Sequence, residues 1–252
     1  MLNVLANLQL KIRRGETPVF RLIRGVLKGI LRLNVPVPRL LHPVLCFLYE
    51  LHFLGVAVFR RALVVLYREP LFRSRCTSVG RHLRLDSELP FVLGHADIRI
   101  GDNVTFTGGL NIISGRFLEN PKLIIMDRAV IGGDTTISVN REVVIEDDVM
   151  ISTHCRIADN DGHPREADLR AAYAPLEERD IRAVRICKHA WIGNGSQILK
   201  GVTVGEGAIV GANSVVVTDI PEYCVAMGNP ARVLVRNVGR PRGSTASSGS
   251  EC

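Results

Sequence analysis

The sequence predicts a parallel β-helix preceded by a helical extension, and two features of one stretch predict the β-helix. In residues 186–221 an aliphatic side chain returns at every sixth position: Ile186, Ile192, Ile198, Val204, Val210 and Val216. The fifth place of each six is small or aliphatic: Ala190, Ser196, Val202, Ala208, Ser214 and Ile220. A helix repeats every 3.6 residues and a strand every two, so neither explains a strict six. A six-residue repeat is typical of a parallel β-helix, in which each hexapeptide forms one side of a coil.

The same stretch is rich in glycine, which we expect at the corners between the sides of a coil. Glycine adopts positive φ without a steric penalty, as a tight corner requires. The six glycines concerned are Gly193, Gly195, Gly201, Gly205, Gly207 and Gly211.

The N-terminal quarter differs from the rest of the chain in charge. The 252-residue chain has a net charge of +7, and residues 1–75 contain 13 Lys and Arg against 3 Asp and Glu, a net of +10. The remainder contains 19 against 22, a net of −3. This asymmetry predicts an anionic partner for residues 1–75. Nucleic acid is not favoured as that partner because no recognition motif accompanies the charge.

Residues 1–75 are expected to form a basic, apolar helical extension. Residues 18–33 keep apolar positions at helical spacing with Arg and Lys between them, which predicts an amphipathic basic helix. A more apolar stretch, 40–67, is long enough to span a bilayer, but Pro43, Glu50 and His52 interrupt it. Two interpretations stay open: the segment lies on an anionic membrane surface, or it caps the end of the β-helix. A transmembrane span is the less favoured third.

From Ser78 onwards the pattern becomes that of strands, and we expect the β-helix domain to cover 78–235. Its first coils are imperfect, and residues 107–122 resemble a loop or an irregular side. The sixes resume at Ile125 and run to Ile157, after which a highly charged segment, 164–185, is expected to leave the coil as an exposed loop. Residues 236–252, rich in Gly, Ser and Arg, are expected to be a disordered tail.

Six cysteines without a CxxC pair indicate reduced thiols and neither a disulfide scaffold nor a zinc site. No signal peptide is evident at the N-terminus, so we expect a cytoplasmic protein, peripheral at the inner membrane if residues 1–75 bind lipid.

The candidate chemistry lies where the charged loop begins, in the sequence ADNDGHP at 158–164. Histidine is the side chain best suited to general-base catalysis near neutral pH, which makes His163 a candidate catalytic residue. On composition alone a structural surface histidine is an equal alternative. The neighbouring Asn160 and Asp161 are candidate acceptor-binding residues.

The chain resembles the hexapeptide-repeat acyltransferases, which form left-handed β-helices. The resemblance rests on His163-Pro164, on Trp191-Ile192-Gly193 and on the GNPA sequence at 228–231, and it covers about 78–236. Galactoside, maltose and xenobiotic O-acetyltransferases are similar, and acetyltransferases of polysaccharide biosynthesis, of the colanic-acid type, are closest. Residues 1–75 and the tail lie outside the resemblance.

The resemblance implies roles for particular residues. His163 would be the catalytic base, and Trp191 would line the acceptor and pantetheine region. Backbone groups at Asn194 and Ala212 would hold the pantetheine arm of acetyl-CoA, and Arg232 would lie near the coenzyme A phosphates.

Two positions depart from the family's pattern. The acceptor-binding asparagine of galactoside-type members has no counterpart at Gly132-Gly133-Asp134, which leaves Asp134 and Asn140 as candidates. Thr218 stands where the family commonly has a lysine.

The implied reaction is direct acetyl transfer from acetyl-CoA to a sugar or glycan hydroxyl, in a homotrimer and without a metal. Alternatives of the same fold are a serine or xenobiotic O-acetyltransferase and a non-catalytic structural prism. A zinc carbonic anhydrase is not favoured because His154, His163 and His189 lack the five-residue ligand spacing of those relatives.

Overall fold

The strands of the chain form three sheets that are parallel except at their C-terminal end. The computed structural model describes residues 2–31, 37–86, 88–115 and 118–239. Each turn of the chain adds one strand to each sheet, so the strands form a three-sided solenoid of about 6 turns. The predicted left-handed parallel β-helix is confirmed. Of the predicted tail, residues 240–252 lie outside the described residues.

Each sheet takes every third strand of the chain. The first sheet contains β1 (Ser78–Val79), β4 (Asp97–Ile100), β7 (Lys122–Ile125), β10 (Glu142–Ile145), β13 (Val184–Ile186) and β16 (Thr203–Val204). The second contains β2 (Arg84–Leu85), β5 (Thr105–Phe106), β8 (Val130–Ile131), β11 (Met150–Ile151), β14 (Trp191–Ile192), β17 (Ile209–Val210), β19 (Val225–Gly228) and the antiparallel β20 (Ala231–Val235). The third contains β3 (Phe91–Leu93), β6 (Leu110–Ser114), β9 (Thr135–Val139), β12 (Arg156–Ala158), β15 (Gln197–Ile198) and β18 (Val215–Val216).

The chain turns at three corners in every coil, and we number them by the sheets they join. Corner 1 leads from the first sheet to the second, corner 2 from the second to the third, and corner 3 from the third back to the first. Because the strands stack in register, each corner forms an edge along the solenoid.

The core consists of the aliphatic column that the six-residue period predicts. All six aliphatic residues from Ile186 to Val216 are fully buried, and the small fifth-place residues between Ala190 and Ile220 are buried too. Ile145, Ile186 and Val204 are successive partners in the first sheet, so each covers the one before it. Each such side chain contributes roughly 1.5–3 kcal/mol on burial.

The corners use more than glycine. Gly195, Gly201 and Gly207 have the predicted positive φ, with values of 70°, 76° and 61°. Gly193, by contrast, is required because an added Cβ would lie 2.6 Å from the backbone nitrogen of Ala212 in the next coil. Corner 1 also places non-glycine residues at φ between 53° and 60°: His82, Asn103, Arg128, Asp148, His189 and Tyr223. The prediction of positive φ is therefore right for three of the six glycines. At Gly193 the close stacking of the next coil requires glycine instead.

The expectation of a loop or irregular side at 107–122 is wrong for its central part. Strand β6 pairs in parallel with β3 on one side and β9 on the other. Leu110 and Ile112 point inward and are buried, in the alternation of a half-buried strand. The six-residue period does continue into this strand, because the buried residues Ile100, Phe106 and Ile112 are six apart. Phe106 is aromatic and the column resumes only at Ile125, which hid the strand from a count of aliphatic residues.

Among the described residues, four α-helices and two short helical turns precede the solenoid, and contacts divide the chain into two compact units, 1–55 and 56–252. The helices are α1 (Leu2–Arg14), α2 (Pro18–Leu31), α3 (His42–Leu63) and α4 (Glu69–Arg73), with a 3-10 turn at Arg39–Leu41 and a π-helical turn at Val64–Arg68. The amphipathic helix predicted at 18–33 is confirmed as α2; residues 32–33 lie outside the described part of the chain.

The last helical turns cap the first coil within the second unit. Val64 and Phe72 are buried in the same core as the solenoid's aliphatic residues. The ring of Phe72 meets that of Phe106 edge to face, with centroids 5.8 Å apart, an arrangement that aromatic pairs favour. The capping interpretation therefore holds for this end of the extension.

Helix α3 is predominantly apolar, and none of its residues is buried. The helical stretch Arg39–Arg73 has 35 residues, and an 18-residue window with a mean hydropathy of 1.6 has none of its residues buried. Phe47 is 67% exposed and Phe59 is 68% exposed. Among the described residues, this is the helix long and apolar enough to cross a membrane.

Candidate functional site

The site begins where the chain leaves the solenoid at corner 3. Strand β12 ends at Ala158 and β13 begins at Val184, so residues 159–183 form an excursion from the coil. The excursion carries the short helix α5 (Ala167–Ala171) and a 3-10 turn at Glu178–Asp180. The predicted loop, 164–185, lies within this span except for its last two residues.

Asp159 fastens the start of the excursion to the preceding coil. Its carboxylate is buried and accepts hydrogen bonds from the backbone nitrogens of Asn140, Arg141 and Glu142 at 2.8, 2.6 and 3.0 Å. Burial raises the pKa of Asp159, and the hydrogen bonds from Asn160 and from the backbone of residues 140–142 oppose that rise. A carboxylate that is costly to bury is retained here because it satisfies four donors at once.

Asn160 continues the anchoring with its side chain. The Asn160 Nδ2 donates to Ser138 Oγ at 3.0 Å and to Asp159 Oδ1 at 2.9 Å, and its Oδ1 accepts from the backbone nitrogen of Gly162 at 3.0 Å. The polar atoms of the Asn160 side chain are thus all hydrogen-bonded within the protein, and they stabilise the turn that leads to His163.

Asp161 forms an ion pair with a buried lysine of the next coil. Lys200 Nζ donates to Asp161 Oδ2 at 2.6 Å, and Arg165 Nε donates to the same oxygen at 3.1 Å. Burial works to raise the pKa of Asp161, but the hydrogen bonds from Lys200 and Arg165 outweigh it and the pKa is lowered. This carboxylate therefore stays ionised and is occupied by two cations.

His163 is the exposed member of this group. It follows Gly162, whose φ of 81° permits the sharp turn, and it precedes the buried Pro164. No described residue forms a hydrogen bond with the imidazole of His163, and the residue is exposed. An exposed imidazole on an anchored turn has the accessibility that a general base requires.

The residues predicted to bind coenzyme A lie elsewhere on the solenoid. Asn194 and Ala212 occupy corner 2 of successive coils, and the Asn194 Nδ2 donates to the Thr153 carbonyl oxygen at 3.0 Å. Trp191, 47% exposed, lies on the second sheet, where its Nε1 donates to Ser152 Oγ at 3.3 Å. Arg232 lies exposed on β20 of the same sheet.

The two further acceptor candidates are separated from each other. Asp134 lies exposed at corner 2 with φ of 57°, and its Oδ2 is 3.7 Å from Nδ1 of His154. Asn140 lies at corner 3 beside Asp159, where the residue is 3% exposed. Its Oδ1 is buried and accepts no hydrogen bond from the part of the chain that the structure describes.

A single chain therefore separates the predicted site into two edges. Corner 3 gathers His163 with Asn140, Asn160 and Asp161. Corner 2 and the second sheet carry Asp134, Asn194, Ala212, Trp191 and Arg232. In a three-sided prism these are different edges, so the strand order does not bring the two sets together within one chain.

The described residues contain no group of three or more His, Cys, Asp or Glu side chains that could hold a metal ion. The five cysteines in the described ranges are free thiols. Burial raises the pKa of Cys76 to about 11, which disfavours its thiolate at neutral pH.

Comparison with known proteins gives a family match within the most regular stretch of hexapeptides. Residues 183–218 match the family described as bacterial transferase hexapeptide (six repeats). The chain is 35% identical over 132 residues to galactoside O-acetyltransferase of Escherichia coli, covering 52% of this chain and 57% of that protein. It is 28% identical over 150 residues to the putative lipopolysaccharide biosynthesis O-acetyl transferase WbbJ of the same species, covering 57% and 74%. The chain spans only 35% and 56% of the two curated relatives that match first.

A solved structure of similar fold has been determined with an acyl-CoA. AntD, an N-acyltransferase from Bacillus cereus in complex with dTDP and 3-hydroxybutyryl-CoA, superposes with a TM-score of 0.52. It is 22% identical, and the superposition covers 66% of this chain and 86% of that one. At this sequence identity the superposition shows a shared fold.

The chain thus has the fold of a three-sided β-helix, and its residues 183–218 carry the hexapeptide repeat. The resemblance to the hexapeptide-repeat acyltransferases is confirmed, and the named relatives are acetyltransferases.

The sequence analysis did not identify two buried charged residues at corner 3, Asp159 and Lys200. The sequence pattern marks Asp159 only as a polar neighbour of His163, and it does not single out Lys200. One signal is available: Ile157 pairs with Ile198, so the charged residues two positions further on, Asp159 and Lys200, both fall at corner 3.

We predict that Asp159→Ala lowers the free energy of unfolding by about 3 kcal/mol, because buried donors lose a charged acceptor. Urea unfolding measures the change. Asp168→Ala, which removes an exposed carboxylate from α5, is the matched control and should leave stability within about 0.5 kcal/mol. Equal effects of the two substitutions would refute the anchoring role of Asp159.

Proposed function

We propose that this chain is an acetyl-CoA-dependent O-acyltransferase that acetylates a sugar hydroxyl in bacterial polysaccharide or lipopolysaccharide biosynthesis. One observation carries the proposal: an exposed histidine at the exit of a rigid coil, in a chain similar to sugar O-acetyltransferases. The anchored turn 159–162 supports a fixed position for His163, which proton transfer in the transition state demands.

In the proposed reaction His163 accepts the proton of the sugar hydroxyl as that oxygen attacks the thioester carbonyl of acetyl-CoA. The new C–O bond forms, the carbonyl π electrons move onto oxygen, and the tetrahedral intermediate then expels the thiolate of coenzyme A. The imidazolium returns its proton to the sulfur. No acyl-enzyme is required, and the buried Cys155 donates its thiol to the Gly193 carbonyl oxygen, which leaves no role for it as a nucleophile.

A homotrimer is proposed because one chain separates the required edges. His163 lies on corner 3, whereas Asn194 and Ala212 lie on corner 2. Threefold packing of prisms can place corner 3 of one subunit beside the second sheet and corner 2 of its neighbour. Each of the three clefts then contains a base from one subunit and a coenzyme A surface from the next.

The helical extension is proposed to bind the cytoplasmic surface of the membrane. The apolar side of α2 includes Leu22, Val26 and Ile30, all more than half exposed, and its opposite side carries Arg21, Arg24 and Lys28. Such a helix lies in the bilayer interface with its basic side towards anionic headgroups. Each basic residue near that surface contributes about 1 kcal/mol.

The charges around α3 favour an interfacial position over a span. Basic residues predominate on both sides of this helix: Lys11, Arg13, Arg14, Arg21, Arg24, Lys28, Arg32 and Arg39 precede it, and Arg60, Arg61, Arg68, Arg73 and Arg75 lie at or beyond its end. Loops rich in Lys and Arg stay on the cytoplasmic side, so a span would place one basic flank on the wrong side. Glu50 and His52 near the middle of the helix add to the cost of crossing.

We predict that His163→Ala lowers kcat for acetyl transfer by about 10²–10⁴-fold, the usual contribution of a general base. The measurement is coenzyme A release from acetyl-CoA with a panel of galactosides, maltose and lipopolysaccharide-derived oligosaccharides. His95→Ala removes another exposed histidine as the control. Undiminished transfer by His163→Ala, or wild-type transfer to serine alone, would contradict the proposal.

We predict that two inactive variants complement each other in mixed trimers. His163→Ala disables corner 3, and Ala212→Trp obstructs corner 2. After joint refolding in equal amounts, about one quarter of the clefts would combine an intact edge from each subunit, and that fraction of wild-type activity should return. A mixture as inactive as its components would exclude a site shared between subunits.

We predict that full-length protein co-sediments with anionic phosphatidylglycerol vesicles at low salt and is largely released at high salt. Replacing Arg21, Arg24 and Lys28 by Glu should abolish that binding. The control replaces three exposed basic residues of the solenoid, Arg84, Lys122 and Arg156, by Glu, with the same change in charge. Failure of the wild type to bind at low salt would end the membrane proposal, and retention at high salt and alkaline pH would indicate a spanning helix.

A further inference from the structure

Lys200 is a buried lysine at corner 3, and the proposed reaction assigns it no role. It lies in the turn between β15 and β16, one coil beyond the excursion, and its side chain is 5% exposed. Its ammonium donates to Asp161 Oδ2 at 2.6 Å and to the backbone carbonyl oxygen of Asp180 at 2.8 Å. Asp161 lies on the outgoing limb of the excursion and Asp180 on the returning limb, so one ammonium joins both limbs.

Backbone hydrogen bonds place the two limbs within reach of Lys200. The backbone nitrogen of Arg182 donates to the Asp159 carbonyl oxygen at 2.8 Å, and that of Gly201 donates to the Arg182 carbonyl oxygen at 3.0 Å. The outgoing limb, the returning limb and the next coil are therefore connected in that order. Lys200 is the side chain that extends from the coil into this cluster.

His163 lies at the centre of a short turn closed by the same carboxylate. Arg165 Nε donates to Asp161 Oδ2 at 3.1 Å, joining residues 161 and 165 across the histidine. The guanidinium of Arg165 is exposed, with 68% of its side chain accessible, whereas the ammonium of Lys200 is buried. Solvent screens the exposed pair, so Lys200 is the stronger constraint on Asp161.

We propose that Lys200 is a positioning residue that holds the turn carrying His163 against the solenoid. A buried ammonium that loses its carboxylate partner is strongly unfavourable, so the excursion cannot lift away from corner 3 without exposing or stranding that charge. The hydrophobic core of the solenoid does not supply this constraint, because residues 161–165 are mostly exposed. The inference rests on the proposed role of His163 as the base.

The first test measures the turn without any substrate. Hydrogen–deuterium exchange is followed in peptides containing the amides of Gly162 and Arg182, in the wild type and in Lys200→Met, which keeps the length of the side chain and removes its charge. Exchange in both peptides should accelerate while the strands of the solenoid keep their protection. Lys188→Met, which alters an exposed lysine at corner 1, is the matched control.

The second test measures transfer. In Lys200→Met we expect kcat to fall about 10-fold to 100-fold, because misplacing a catalytic group is costly. The KM for acetyl-CoA should stay within about twofold, because its proposed residues lie on another edge. Asp161→Asn should give a smaller effect in the same direction, and combining it with Lys200→Met should add little. The Asp161→Asn protein serves as the readout if Lys200→Met does not fold.

Unchanged exchange at Gly162 and Arg182 would overturn the proposal, and so would accelerated exchange with unchanged kcat. An equal rise in KM for acetyl-CoA would also overturn it, since that result indicates a general structural loss. A wild-type protein inactive with every acceptor would refute the proposed function instead, and the exchange experiment would still decide whether Lys200 holds the turn.

Discussion

The structure depends on the stacking of one aliphatic side chain upon its equivalent in the next coil. Ile145, Ile186 and Val204 illustrate the constraint: each is fully buried, and each is the register partner of the next. A shift of one residue would turn an inward side chain outward, so the register tolerates no slip. Everything that varies between coils must therefore be placed outside the strands, at the corners.

Function in this fold consequently resides in corners and excursions. The chain leaves its coil between Ala158 and Val184, and buried charged residues lie at that corner: Asp159 and Asp180 in the excursion, and Lys200 one coil later. Buried charges stabilise little by themselves, but their need for partners fixes the groups around them. A solenoid with an apolar interior thus uses polar contacts at one edge to position the turn that carries His163, the proposed base.

The same architecture explains why one chain holds an incomplete arrangement of the proposed site. The histidine edge and the coenzyme A edge are separated by the prism itself, so association of subunits is a geometric requirement of the proposed reaction.

The N-terminal extension is itself divided into a part that packs on the core and a part that does not. Its last turns, around Phe72, belong to the core, whereas α3 presents apolar side chains that the described chain leaves uncovered. A surface of this kind is suited to a bilayer, as the proposed membrane binding requires.

The sequence by itself determined the β-helix, its inward column and the place of His163, because a strict six-residue period allows one arrangement of side chains and breaks where the chain leaves the coil. It also predicted α2 from helical spacing. It did not reveal β6, because the aromatic Phe106 interrupts the aliphatic column before it. It also did not reveal the ion pair between Asp161 and Lys200, since the excursion separates the two residues and they meet only when successive coils stack. Which predicted site residues share an edge was likewise decided by tertiary structure alone, because strand order around a prism is a property of the wound chain and not of local spacing.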